Sequence, residues 1–180
     1  MSAAQSEDAG RLFDRGLTWD QFRTAAKAQR DVWLKTTAQV SLPSDVVERF
    51  RRASPGLRIL AVAEDWCPDS ANALPYIAAL ASSVSVPLRI VDRALGEPLM
   101  NRHRTPDGRP ATPTIVLLRD GAEVGAWVER PDIVQRWFLS MATNAESARR
   151  FGDRQSWYDA DRGQTVLAEL IALAERTQRK

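Results

Sequence analysis

Three short apolar runs, separated by a helical pattern and followed by a tight turn, constrain the fold of this chain most strongly. The runs cover residues 57–63, 88–92 and 114–119. Each is bounded by turn residues and has the length of a buried strand. Apolar positions over residues 69–83 predict a helix between the first two runs. Asp120-Gly121 predicts a hairpin leading to a fourth strand, and an apolar stripe over residues 133–141 predicts a closing helix.

This order of elements predicts an α/β fold, a βαβ–ββα sandwich around a central mixed sheet. A right-handed crossover makes the first two strands parallel and lays the intervening helix on one face of the sheet. The hairpin then adds antiparallel pairing. We place this core over residues 56–145. A chain of 180 residues can bury one such core with an added helical layer, so we expect a single structural domain.

The segments that flank the core are predicted to add helices to it. Residues 1–16 are expected to be disordered or loosely attached. Residues 17–55 are expected to form a helical extension packed on the core. Residues 146–180 are expected to form a C-terminal helical segment. Its final helix has five apolar positions: Val166, Leu167, Leu170, Ile171 and Leu173.

The helical extension carries its own start signals. Thr18 and Gln21 have the spacing of a capping box, in which each side chain bonds the backbone of the other residue. An interrupted helix is predicted after them, over residues 19–38. Ser44 follows a Leu-Pro break and is predicted to cap a second helix.

Composition favours a soluble globular protein and excludes several other classes. Hydrophobic residues make up 44% and charged residues 27% of the chain. The net charge is only +2 and the arginines are spread along the sequence, so we expect no nucleic-acid partner. A single cysteine excludes an internal disulfide. No apolar stretch reaches the roughly 20 residues of a membrane span, and the N-terminus lacks a signal-peptide pattern, so we expect a cytoplasmic protein without a membrane partner.

That cysteine, Cys67, lies in the segment Trp66-Cys67-Pro68-Asp69-Ser70, between the first predicted strand and the helix that follows it. The carboxyl ends of strands are where α/β sheets commonly place their functional sites. A helix N-terminus favours a thiolate by roughly 0.3–1 kcal/mol. Nearby carboxylates oppose a thiolate by on the order of 1 kcal/mol each. The sequence leaves the balance between these effects open.

The order of elements, Trp66-Cys67-x-x-Ser70, Pro75 and Ala111-Thr112-Pro113-Thr114 together resemble the thioredoxin superfamily. The resemblance covers residues 57–143. It implies that Pro113 follows a cis peptide bond and faces Cys67, leaving the Thr112 backbone free to pair with a bound peptide or thiol. The Trp-Cys-Pro-Asp-Ser variant and the helical extension resemble a bacterial branch of thioredoxin-like proteins more closely.

The chain departs from the thioredoxin pattern at positions that matter for turnover. Ser70 stands where the family has its resolving cysteine, so no internal disulfide can form. Ala61 stands where thioredoxins carry a buried acid that accepts a proton. Pro68-Asp69 replaces the glycine-proline pair, and the Gly-Gly pair by which glutaredoxins hold glutathione is not evident. Ordinary two-cysteine turnover is therefore not predicted.

One-thiol chemistry remains open to Cys67. Its thiolate is suited to attack a disulfide, a sulfenic acid or an activated acyl group, with the Ser70 hydroxyl one helical turn away donating a hydrogen bond to the sulfur. Because a hydroxyl cannot resolve the resulting mixed disulfide, release requires an external thiol such as glutathione or a protein thiol. Trp66, Pro68, Asp69, Thr112 and Pro113 are predicted to contact the substrate; Asp69 is alternatively a proton shuttle or a helix-stabilising acid.

A different class of function is also open, a non-catalytic binding module that uses the groove beside Pro113 without redox turnover. A third alternative is a regulatory thiol that forms an intermolecular disulfide between two copies of Cys67. His103 is expected to be solvated. The sequence shows no metal-ligand spacing and no Gly-rich phosphate loop, so neither a metal nor another cofactor is predicted.

Overall fold

The structure is a computed structural model that describes the backbone of residues 3–140 and 144–178, with side chains from residue 9 onward and, after the gap, from residue 153. Helices precede the first strand, connect the first three strands and follow the last one. The elements in order are α1 (Ala3–Arg15), α2 (Trp19–Ala25), α3 (Arg30–Gln39), α4 (Ser44–Ala53), β1 (Leu57–Val62), α5 (Pro68–Ser83), β2 (Leu88–Val91), α6 (Arg93–Arg102), β3 (Thr114–Arg119), β4 (Ala122–Val128), α7 (Asp132–Leu139), α8 (Asn144–Asp161) and α9 (Gln164–Gln178).

The strands form one mixed sheet in the order β2-β1-β3-β4. β1 pairs with β2 in parallel, with Ile59 opposite Leu88, because the α5 crossover returns the chain in the same direction. β1–β3 and β3–β4 are antiparallel, and the latter pair is the predicted hairpin. The α/β fold class, with its central mixed sheet and its helices at both ends, is confirmed.

Each face of the sheet is covered by helices, which explains why the strands are apolar on both sides. Ile59 and Ala61 of β1 belong to a core shared with α3, α4, α5 and α9. Leu60 and Val62 alternate to the opposite face and join a second core with α1 and α6. The site described below lies at the end of β1, between these two layers.

The helix that closes the sheet over β4 is α9. The helix predicted over residues 133–141 exists as α7, but α9 supplies the apolar cover, packing on β4, α4 and α5. Val166, Leu170 and Ile171 of α9 are buried in the larger core. Met141, which the sequence assigns to the closing helix, lies outside the described residues.

The described part of residues 1–16, which the sequence predicts to be disordered or loosely attached, is instead a helix packed on the core. Residues 3–15 form α1, and Ala9, Leu12 and Phe13 are buried in the second core. Their spacing of three and four residues places them on one helix face. Gly16 N–H bonds Phe13 at the end of the helix, and Leu17 then forms a short antiparallel bridge with Ile90 of β2.

The predicted start of the helical extension is confirmed in detail. The capping box of Thr18 and Gln21 is present in both directions. The helix is interrupted after Ala25, and Gln29, with a φ of 52°, precedes α3. Before α4 the cap position is occupied by Pro43, and Ser44 is the first helical residue and not the cap.

Among residues 3–140 and 144–178, no helix combines the length and the apolar character needed to cross a membrane.

Candidate active site around Cys67

Cys67 occupies the N-cap position of α5, immediately after the loop that follows β1. Its extended backbone (φ −81°, ψ 116°) and Pro68 at the first helical position start the helix at this point. The Ser70 backbone N–H donates to the Cys67 sulfur at 3.5 Å, and the Cys67 N–H donates to the Glu64 carbonyl at 3.2 Å. The sulfur therefore lies at the positive end of α5 in a fixed orientation.

The Thr112–Pro113 peptide bond is cis and faces the cysteine, as the resemblance implies. The Cys67 thiol donates a hydrogen bond to the Thr112 carbonyl at 3.2 Å. These residues are far apart in the chain, and the antiparallel pairing of β1 with β3 brings them together. Cys67 is 6% exposed, so the sulfur lies just below the surface.

Ser70 does not make the contact predicted for its hydroxyl. The contact to sulfur comes from its backbone N–H, while its side chain is completely buried. Among the described residues its Oγ has no hydrogen-bond partner. A buried hydroxyl without a partner is uncommon in folded proteins. The hydroxyl is one turn from Cys67, so a sulfur that carries negative charge is a candidate acceptor.

Asp69 is buried in a polar cluster that the sequence did not predict. It is 4% exposed. The guanidinium of Arg154 donates to Asp69 Oδ2 at 3.0 Å, Arg130 Nη2 lies 3.3 Å from the same oxygen, and the Tyr158 hydroxyl donates to Oδ1 at 3.0 Å. Burial raises the pKa of Asp69, and the two guanidiniums oppose the rise. Burial and the neighbouring Asp69 charge together raise the pKa of Tyr158 well above its usual value.

This cluster is joined to the cis-proline loop through residues that follow β4. The Glu129 backbone N–H donates to the Pro113 carbonyl at 2.7 Å, and the Glu129 carboxylate pairs with Arg130 and Arg109. Both Glu129 and Arg130 are buried. The first turn of α5 and the cis-proline loop are therefore held by one network of charges.

A second set of contacts ties the loop before Cys67 to the helical extension. The Asp65 carboxylate accepts the backbone N–H groups of Lys27 at 2.7 Å and Ala28 at 3.0 Å. The Trp33 indole N–H donates to the Asp65 carbonyl at 2.8 Å. The Ala28 N–H group is the main cause that lowers the pKa of Asp65. Trp66, which follows Asp65, is 52% exposed beside the buried Cys67.

His103 is not solvated as the sequence suggested. Its Nε2 lies 2.9 Å from Glu123 Oε2, and Arg102 donates to the other Glu123 oxygen at 2.5 Å. Burial tends to raise the pKa of Glu123, but the bonds from His103 and Arg102 outweigh it and lower the pKa. Within the described part of the chain, no group of three or more His, Cys, Asp or Glu side chains has the arrangement of a metal site.

The structure thus brings Cys67, Ser70, Thr112 and Pro113 into one site, and it places the Asp69 side chain in the buried cluster with Arg130, Arg154 and Tyr158. A free thiol, a helix N-terminus and a cis-proline carbonyl meet at one point. This arrangement supports nucleophilic attack by sulfur on a group presented along the cis-proline loop.

A family model described as "Thioredoxin" matches residues 16–149. The chain belongs to the thioredoxin family. Within that family, this protein carries one thiol where the usual site carries two. A search among curated proteins finds no match.

Two solved structures resemble this thioredoxin-family protein along nearly the whole chain. One is a protein of unknown function from Pseudomonas aeruginosa, 20% identical, with a TM-score of 0.70. The other is an HIV epitope-scaffold, 22% identical, with a TM-score of 0.69. In both comparisons 97% of this chain and 98% of the other chain are covered. At these identities the likeness establishes the fold alone.

Proposed function

We propose that this protein is a one-thiol disulfide oxidoreductase that works with Cys67 and an external thiol in a reducing compartment, the cytoplasm. The observation that carries the proposal is the contact of the Cys67 sulfur with the Thr112 carbonyl across the cis Thr112–Pro113 bond. A disulfide bound along this loop would meet the sulfur at the N-terminus of α5. The Trp-Cys-Pro-Asp-Ser sequence further favours the bacterial thioredoxin-like branch named above.

In the first step the Cys67 thiolate attacks one sulfur of a substrate disulfide. A new bond forms between Cys67 and that sulfur, the substrate S–S bond breaks, and the other substrate sulfur leaves as a thiolate. The Ser70 backbone N–H contacts the Cys67 sulfur at 3.5 Å and supports the negative charge on it.

In the second step an external thiolate, with glutathione as the candidate, attacks the substrate sulfur of the mixed disulfide. The Cys67–substrate bond breaks and the Cys67 thiolate is restored. The external thiol becomes part of a new disulfide, so one disulfide is consumed and one is formed. Ser70 cannot take the place of this thiol because a hydroxyl does not reduce a disulfide.

The test is reaction of the protein with oxidised glutathione, followed by mass spectrometry. Wild-type protein is expected to gain one glutathione, reduced glutathione is expected to remove it, and Cys67→Ser is expected to gain none. Ser70→Cys is the matched gain-of-function variant, since it should discharge the adduct through an internal disulfide without added thiol. A Cys67 that stays unreactive towards disulfides and alkylating reagents up to about pH 9, above the ordinary range of thiols, would refute the proposal.

The burial of Cys67 favours a second candidate function, a binding module that holds a peptide beside Pro113 without redox turnover. Such a module would retain its partner in the Cys67→Ser variant, whereas the oxidoreductase would lose its covalent adducts. Pull-down with both forms under non-reducing conditions, which preserve mixed disulfides, separates the two functions. Loss of every partner on the Cys67→Ser substitution would contradict the binding-module alternative.

A further inference from the structure

A pocket of about 340 Å³ lies where β1 and β2 end, next to the loop that carries Cys67. Ala63 and Val91, which follow or end these two strands, line one side of it, and Leu17 and Phe22 of the helical extension line the other. Its volume falls within the range of about 300–1,000 Å³ that is usual for small-ligand sites. The crevice beyond the carboxyl ends of parallel strands is also a usual place for such sites in α/β proteins.

The interior of the pocket is apolar. Ile90 and Leu95 add to the side chains above, and two alanines of the extension, Ala25 and Ala26, leave space where larger residues would fill it. An apolar interior of this size accommodates an aromatic ring or a short branched alkyl group.

The rim of the pocket carries an excess of negative charge. Glu64, Asp65 and Asp92 line it together with one cation, Arg15, which gives a formal sum of −2. The backbone N–H of Arg93 bonds Glu64 Oε1 at 2.8 Å, and the backbone N–H of Leu95 bonds Asp92 Oδ1 at 2.8 Å. These bonds hold the carboxylates in place, and a carboxylate can accept further hydrogen bonds through its remaining lone pairs.

We propose that this pocket binds a small organic cation, an amine joined to a compact apolar group. The apolar group would occupy the space between Phe22 and Ile90, and the ammonium group would bond Glu64 and Asp92 at the rim. The pocket is separate from the cis-proline groove, and the proposal does not depend on thiol chemistry. The Glu64 carbonyl accepts the Cys67 N–H at 3.2 Å. Binding of the cation at Glu64 would therefore affect the conformation of the loop that carries Cys67.

The test is titration of the full-length protein, and of Cys67→Ser in parallel, with three probes of similar shape, followed by amide NMR and calorimetry. The probes are 2-phenylethylamine, 2-phenylethanol and 3-phenylpropionate. The amine is expected to shift the resonances of Leu17, Glu64 and Asp92, and to bind at least about tenfold more tightly than the alcohol, because charge-assisted hydrogen bonds are about twice as strong as neutral ones. The carboxylate is expected not to bind. Because Cys67→Ser lacks the thiol, binding of the amine to this variant tests the pocket independently of the redox proposal.

The double variant Glu64→Gln with Asp92→Asn removes both charges while keeping oxygen acceptors for the two backbone N–H groups. It is expected to weaken amine binding by about tenfold or more. The matched control is Asp31→Asn with Glu97→Gln, which removes one aspartate and one glutamate charge at exposed positions outside the pocket. Equal binding of the three probes, no shift at the pocket, or equal loss of affinity in both double variants would overturn the proposal.

Discussion

Asp69→Asn tests whether the buried charge cluster holds the first turn of α5. The carboxylate is 4% exposed and lies 3.0 Å from Arg154 Nη1 and 3.3 Å from Arg130 Nη2. Removing one partner of a buried ion pair costs about 3–5 kcal/mol, since the remaining charge stays buried. Arg130 keeps its contact with Glu129, so we expect the lower end, a loss of about 3 kcal/mol in the free energy of unfolding.

The assay is urea unfolding near pH 8, followed by circular dichroism. Asp20→Asn is the control, because its pair with Arg23 is exposed and such pairs contribute about 1 kcal/mol at most. Tyr158→Phe removes only the hydroxyl bond to Asp69 and is expected to lose about 1.5–3 kcal/mol, the usual value for a hydrogen bond to a charged group. If Asp69→Asn loses less than about 1 kcal/mol in the free energy of unfolding, as the control does, the buried charge cluster does not hold the first turn of α5.

Two further predictions concern other parts of the fold. Glu123 has a lowered pKa in the folded protein, so its contribution to stability is present above its unfolded value of 4.5 and is lost as the pH falls through the folded value. Glu123→Gln is therefore expected to flatten the acid side of the stability curve measured by urea unfolding, and curves that stay parallel to wild type would contradict this. Gly96→Ala would place a Cβ 2.9 Å from Val62 Cβ. The overpacking cost of about 1–3 kcal/mol is expected to exceed the roughly 1 kcal/mol that alanine gains over glycine in a helix. The melting temperature of the variant is therefore expected to fall. A rise would show that β1 and α6 can separate to admit the methyl group.

β1, β2 and β3 were predictable because each is a short, mostly buried apolar run between turn residues, whereas β4 was predicted from the Asp120-Gly121 turn. Leu57–Val62 and Thr114–Arg119 match the predicted strands to within one residue. The choice of closing helix was not predictable in the same way, since α7 and α9 both carry an apolar stripe. Which stripe covers β4 is decided by packing between distant parts of the chain. The spacing of Ala9, Leu12 and Phe13 is that of one apolar helix face, so the sequence did contain a signal for α1. The segment around these residues is otherwise polar.

The sequence located the cysteine and its facing proline, because both belong to local motifs. It could not locate the partners of Asp69, which lie 85 and 89 residues further along the chain at Arg154 and Tyr158. Their spacing of four residues on α8 places both on one helix face, but nothing local indicates that this face meets α5. An acid at the start of a helix is ordinary, and only the tertiary structure shows that it is buried.

The position of α9 has a consequence for how the protein is made. Val166, Leu170 and Ile171 complete the same core as Ile59 and Leu74, although α5 and the strands are synthesised first. At a synthesis rate of about 5–20 residues per second, Cys67 emerges from the ribosome several seconds before residues 164–178 can dock. During that interval the core shared by α5 and the sheet lacks the apolar side chains that α9 supplies. The apolar face that α9 later covers is therefore exposed on the nascent chain until synthesis of this helix is finished.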